Sequence, residues 1–170
     1  LKVDTIQHSG GTTGLTIDST GRILQPAKPA FRARIAGSSS ATGSNGTLVF
    51  ETEDFDIGGN YNTSTGIFTA PINGVYHFMF RGITASNTSG AANTDTEGPL
   101  GDFYKNGAIA EGTRFYHYIQ GITNFHATLI GNTLQQLSSG DEIKVVIATE
   151  YIYSDANVHW DPVFEGFLVS

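Results

Sequence analysis

The sequence predicts an all-β protein, and three observations carry that reading. The 170 residues are rich in Thr, Ile, Phe, Tyr, Gly and Asn, the strand and turn formers, with Gly alone at 21. Short apolar runs recur with turn residues between them, and no window of a dozen residues carries a helical period. From Val75 to Thr84 an aromatic side chain stands at every other position, Tyr76, Phe78 and Phe80, the period of a strand with one buried face.

Residues 1–28 form a first region. Leu15-Thr16-Ile17-Asp18, the turn-like Ser19-Thr20-Gly21 and Arg22-Ile23-Leu24 predict a small β-hairpin. Its apolar side chains, Val3, Ile6, Leu15, Ile17, Ile23 and Leu24, are too few to enclose a core. An isolated two-stranded unit is marginal in water. The segment is therefore expected either to pack on the domain C-terminal to it or to pair with copies of itself. Pro26 and Pro29 break the pattern and mark the boundary.

From 29 to 170 the expected strands are Phe31–Ile35, Thr47–Glu51, Ile67–Ala70, Val75–Thr84, Phe103–Lys105, Arg114–Gln120, Thr123–Ile130, Glu142–Tyr151 and Val163–Val169. The polar run 85–101 reads as a surface excursion. Eight to ten short strands in this length predict a sandwich or jelly roll. Within Val75–Thr84 the face opposite the aromatic row carries Val75, His77, Met79 and Arg81; in Thr123–Ile130 one face carries Asn124, His126, Thr128 and Ile130. A face that met only water would be polar throughout. Mixed faces of this kind suit contact with another subunit, although they also fit an ordinary solvated face.

Charge narrows the partners. The chain carries −7 formally, and residues 29–170 alone carry six basic against fourteen acidic side chains. Such a surface repels phosphate backbones and anionic bilayers, and no apolar run approaches spanning length. The sequence therefore predicts neither nucleic-acid binding nor membrane insertion. The lack of cysteine leans toward assembly in a reducing compartment. The chain begins at Leu1 without a signal-like segment, which reads as a piece of something longer.

Five ordered stretches carry a resemblance over 29–170: Pro29–Ala33 (PAFRA); Leu48–Phe80, with Phe50, Asn60-Tyr61, Gly66–Pro71 and Gly74–Phe78; Phe103–Gly107 (FYKNG); Leu134–Val145 (LQQLSSGDEIKV); and Phe164–Val169 (FEGFLV). Together they resemble the globular head of the complement C1q and tumour necrosis factor-like superfamily. The resemblance implies a ten-stranded jelly-roll sandwich that forms a homotrimer, and a binding module rather than an enzyme. It also implies that one sheet packs toward the threefold axis. Upstream, "VDTIQHSGGTTGLTIDSTGRILQP" is similar to a stem motif that precedes distal domains in bacteriophage tail fibres, and no collagen-like Gly-X-Y repeat is present.

No Cys nucleophile, Gly-x-Ser-x-Gly elbow or His-x-x-x-His pair occurs, so no catalytic residues and no cofactor are expected. Glu51, Glu53, Asp54 and Asp56 are close enough in sequence to suggest paired carboxylates, but they read as solvated residues in or beside turns. Calcium enters through the resemblance, since some members hold it near the trimer apex; "EDFDIGGN" imitates an oxygen-ligand loop only loosely. The histidines are His8, His77, His117, His126 and His159; on a threefold axis one histidine becomes three ligands, while a satisfied interface histidine is the commoner outcome. Expected trimer-interface residues are His77, Met79, Arg81, Asn124, His126 and Thr128.

Recognition is assigned to Tyr151, Tyr153, Asp155, Asn157, His159, Trp160 and Asp161 in "TEYIYSDANVHWDP". Aromatic planes beside amides and carboxylates suit sugar stacking and protein contacts alike; the stretch also fits a loop packed on its own head. The expected protein is a trimeric phage fibre or spike head in the virion. It would bind a host cell-surface glycan or protein through its loops and other virion proteins through its stem. A capsid-decorating spike without a host ligand, and a secreted or spore-surface C1q-like protein of a cell, remain the alternatives.

Overall fold

Strand formers and turn glycines alternate along the whole chain, and the computed structural model follows them. It describes residues 3–36, 46–85, 100–116, 126–147, 152–153 and 162–170. Among these there is no helix, hence none able to cross a membrane. In chain order the strands are β1 (Thr5–Gln7), β2 (Thr13–Ile17), β3 (Ile23–Leu24), β4 (Ala30–Arg34), β5 (Gly46–Thr47), β6 (Thr52–Ile57), β7 (Tyr61–Asn62) and β8 (Ile67–Thr69). After these come β9 (Gly74–Ala85), β10 (Leu100–Lys105), β11 (Ala108–Ile109), β12 (Phe115–Tyr116), β13 (His126–Leu137), β14 (Glu142–Ile147), β15 (Ile152–Tyr153) and β16 (Val163–Leu168).

The stem is a three-stranded antiparallel sheet, β1-β2-β3, rather than the predicted two-stranded hairpin. The β2–β3 hairpin forms where expected; β1 joins because Ile6 sits opposite Leu15 and adds its side chain to the same face. Asp18 pins the β2–β3 turn. Its carboxylate accepts the Thr20 hydroxyl at 2.7 Å, the backbone N–H of Thr20 and of Arg22, and Arg22 Nε at 2.6 Å. Led by the Thr20 hydroxyl, these donors hold the carboxyl at a pKa of about 2.

The head is a sandwich of two antiparallel sheets, as predicted. One runs β13-β9-β16-β4-β6 with β15 beside β9; the other runs β11-β10-β14-β8-β7 with β12 beside β10 and β5 beside β14. Sequence neighbours such as β8 and β9 lie in opposite sheets, joined across the end of the sandwich by residues 70–73, which is jelly-roll connectivity.

The aromatic row of β9 faces the interior. Tyr76, Phe78 and Phe80 are fully buried, with Phe31 and Phe164 from their own sheet and Phe68 and Phe103 from the other. Phe31 is the hub: its ring stacks on Tyr61 at 4.9 Å and on Phe68 at 5.0 Å and meets Phe164 edge-on at 4.9 Å. Such pairs add about 0.5–1.5 kcal/mol each beyond the area they bury. Gly131 and Gly101 have no side chain because the Phe115 ring lies across both; a Cβ at either would strike it.

Predicted and observed segments differ in places, and the strand expected at Thr123–Ile130 continues to Leu137. Of the predicted Thr47–Glu51 strand only Thr47 is regular, as the second residue of β5. Beyond it, the Tyr61 hydroxyl donates to the Phe50 carbonyl and accepts the Phe50 N–H, both at 3.2 Å, in place of a strand partner. The acidic run predicted as turn is strand β6, carrying Glu53, Asp54 and Asp56. Pairing with β4 overrides its low strand propensity, because Arg32 and Arg34 stand opposite to balance the charge.

Candidate functional site

Strand alternation sends every second residue of the six-stranded sheet away from the core, and the registers place those residues in rows. One row runs Ile57, Ala30, Phe167, His77, Leu134 across five strands. The next runs Phe55, Arg32, Glu165, Met79, Asn132, and a third brings Arg34, Val163, Arg81 and Ile130 side by side. Leu134 keeps 62% of its surface exposed, Ile130 56%, and Phe55 and Phe167 48% each. The His77 ring leans on Phe167 at 5.3 Å.

Between these apolar positions lies an ion network. Asp54 accepts Arg34 Nε in a hydrogen bond at 2.9 Å and lies 3.2 Å from Arg32 Nε, which is also 3.8 Å from Glu165. The two Arg32 contacts are ion pairs without hydrogen-bond geometry. About a third of each partner is open to water, so the network adds little stability to a single chain. An apolar row beside ion-paired charges is a composition that suits contact with another protein surface.

The structure places His77, Met79, Arg81 and Thr128 on this face. The backbone of His126 pairs with Ala85 at its end; Asn124 lies outside the described residues. Sequence reasoning did not name Phe55, Ile57, Leu134 or Phe167, the larger apolar part of the face. Their signal was alternation out of phase with the buried residues of the same strands, as with Phe167 between Gly166 and Leu168.

Of the proposed recognition residues, Tyr153 pairs through its backbone with Ile83, while Tyr151, Asp155, Asn157, His159, Trp160 and Asp161 lie outside the described residues, as does His117. His8 serves its own turn, its Nδ1 accepting the Gly10 N–H. Three of the four acids in and beside β6 are dispersed into structural tasks. Glu51 accepts the Ala36 N–H, Asp54 holds the arginines, and Asp56 accepts the Tyr61 N–H at 2.8 Å. Among the described residues no group of three or more His, Asp or Glu is placed to hold a metal. Burial raises the Tyr61 phenol far above its ordinary pKa, which keeps it neutral as the clamp on Phe50.

The sequence profile of the C1q domain matches residues 30–169, nearly all of the head. The chain belongs to the C1q domain family. Its sandwich is similar to the solved globular domain of zebrafish complement 1qA protein. The two share a TM-score of 0.61 at 19% identity, over 84% of this chain and 98% of that one, a likeness of fold. No curated protein matches the chain. The C1q match begins one residue after Pro29 and leaves the three-stranded stem outside the family domain.

Proposed function

We propose that this C1q domain is a non-enzymatic, homotrimeric recognition head at the distal end of a bacteriophage tail fibre or surface spike. It engages a glycan or protein of the host cell surface and joins other virion proteins through its stem. One observation carries the reading: the outward face of the six-stranded sheet leaves Phe55, Ile57, Ile130, Leu134 and Phe167 uncovered around an ion network. Two further copies would close that face around a threefold axis, which removes the apolar surface from water and orients three identical heads in one direction. Three weak sites on one rigid unit then bind a repetitive surface with avidity far above that of one site. The viral assignment rests on the similarity of the stem sequence to phage fibre stems and on the cysteine-free composition.

The test has two parts. Sedimentation equilibrium should return three times the 18.1 kDa chain mass. Fluorescently labelled trimer should stain the host bacterium and compete with virus adsorption. A stable single chain refutes the assembly. A trimer that stains no cell and is found on the capsid identifies a decorating spike instead, and a full-length gene product with a signal peptide identifies a cellular protein.

A further inference from the structure

We propose that the N-terminal sheet is a second self-docking element, whose aliphatic face packs against the same face of two other copies. The registers put four aliphatic side chains on that face. Ile6 is opposite Leu15, Ile23 is opposite Ile17, and Leu15 and Ile17 are two residues apart on the central strand. Ile23 is 66% exposed and Ile6 56%. Asp4, whose carbonyl accepts the Ile17 N–H, stays exposed at the outer end of one row. The other face carries Thr5, Thr16 and Leu24. Gly14, on that second face, lines a cleft with Pro29, Ile72 and Leu168 of the head, and Lys28 Nζ donates to the Val169 carbonyl nearby.

Size identifies the occupant. Four such side chains offer on the order of 300 Å² per chain, whereas an independent partner requires roughly 800 Å² per side. A foreign protein would not stay on so small a stripe. Another copy would, because heads already assembled hold the three stems together at an effective concentration of roughly millimolar, so docking costs little further translational entropy. This inference rests on the trimer proposed above. It adds that the stem trimerises too and so transmits the head's symmetry to whatever precedes it.

The cysteine-free chain permits a direct test. Ile17→Cys and, at the more exposed edge, Ile23→Cys are oxidised and, in parallel, treated with a short bis-maleimide. Thr16→Cys, on the opposite face, is the control. The trimeric state of each variant is established first by sedimentation. Expected are covalently linked chains on a non-reducing gel for Ile17→Cys and Ile23→Cys, and loss of that product for Thr16→Cys. Sedimenting trimers whose Ile17→Cys and Ile23→Cys chains remain unlinked overturn the stem inference and leave the head assembly standing. Linking by Thr16→Cys to the same extent also overturns it. Single chains in sedimentation overturn the head assembly, and the stem inference with it.

Discussion

Replacing Leu134 with glutamate probes the outward face at its most exposed apolar position. Full burial of a leucine contributes about 1.5–3 kcal/mol. With 62% of Leu134 still open in the single chain, subunit contact would contribute about 1–2 kcal/mol per copy, or about 3–6 kcal/mol over a trimer. A carboxylate there forfeits this and adds the several kcal/mol that an unpaired charge loses when taken out of water. Each 1.4 kcal/mol is about tenfold in an equilibrium constant, so L134E should weaken self-association by at least about a thousandfold. In one chain the side chain touches mostly water, so the fold itself should survive, with unchanged far-ultraviolet circular dichroism. Sedimentation velocity across nanomolar to micromolar concentration reads the outcome. If L134E sediments as the parent protein does, this face is not the assembly surface.

Three further substitutions test the interior and the turns. Tyr61→Phe leaves the N–H and C=O of buried Phe50 without their clamp and should cost about 1–3 kcal/mol for each unsatisfied group in urea unfolding. Gly66→Ala meets both a φ of 73° and the Leu48 carbonyl oxygen where the Cβ would stand; a loss of ~2 kcal/mol or more is expected in the same assay. Asp141 accepts Asn106 Nδ2 at 2.8 Å, the Ser138 N–H and Lys105 Nζ, which lowers its pKa from 3.8 to about 2, the Asn106 bond contributing most. A depressed carboxyl pKa stabilises the fold above its unfolded value and loses that contribution as pH falls through the folded one. Thermal melts from pH 5 down to about pH 2 should therefore show a decline that Asp141→Asn flattens; an unchanged slope would refute the assignment.

Much of the architecture was legible as period and punctuation. The alternation of Tyr76, Phe78 and Phe80 identified a strand with one buried face, and glycine and asparagine marked the turns that separate the strands. The exceptions have physical causes. Strand β6 was hidden because its acidic residues score poorly until Arg32 and Arg34 are set opposite, a pairing twenty residues away in sequence. The stretch Leu48–Phe50 does alternate in burial, and its Leu48 N–H donates to the Val145 carbonyl; the regular ladder ends because the Tyr61 hydroxyl, eleven residues on, takes both backbone groups of Phe50.

The candidate surface shows the same division. That β9 has a mixed outer face comes from its own residue order, so His77, Met79 and Arg81 could be named in advance. That Ile57, Phe167 and Leu134 lie beside His77 in one row depends on register between strands from distant parts of the chain. Sequence alone determined the all-β class and the family, because strand period, turn chemistry and motif order are local properties. Which apolar side chains remain uncovered, and on which face they gather, was decided by tertiary structure, because burial is a property of neighbours that a linear string does not contain.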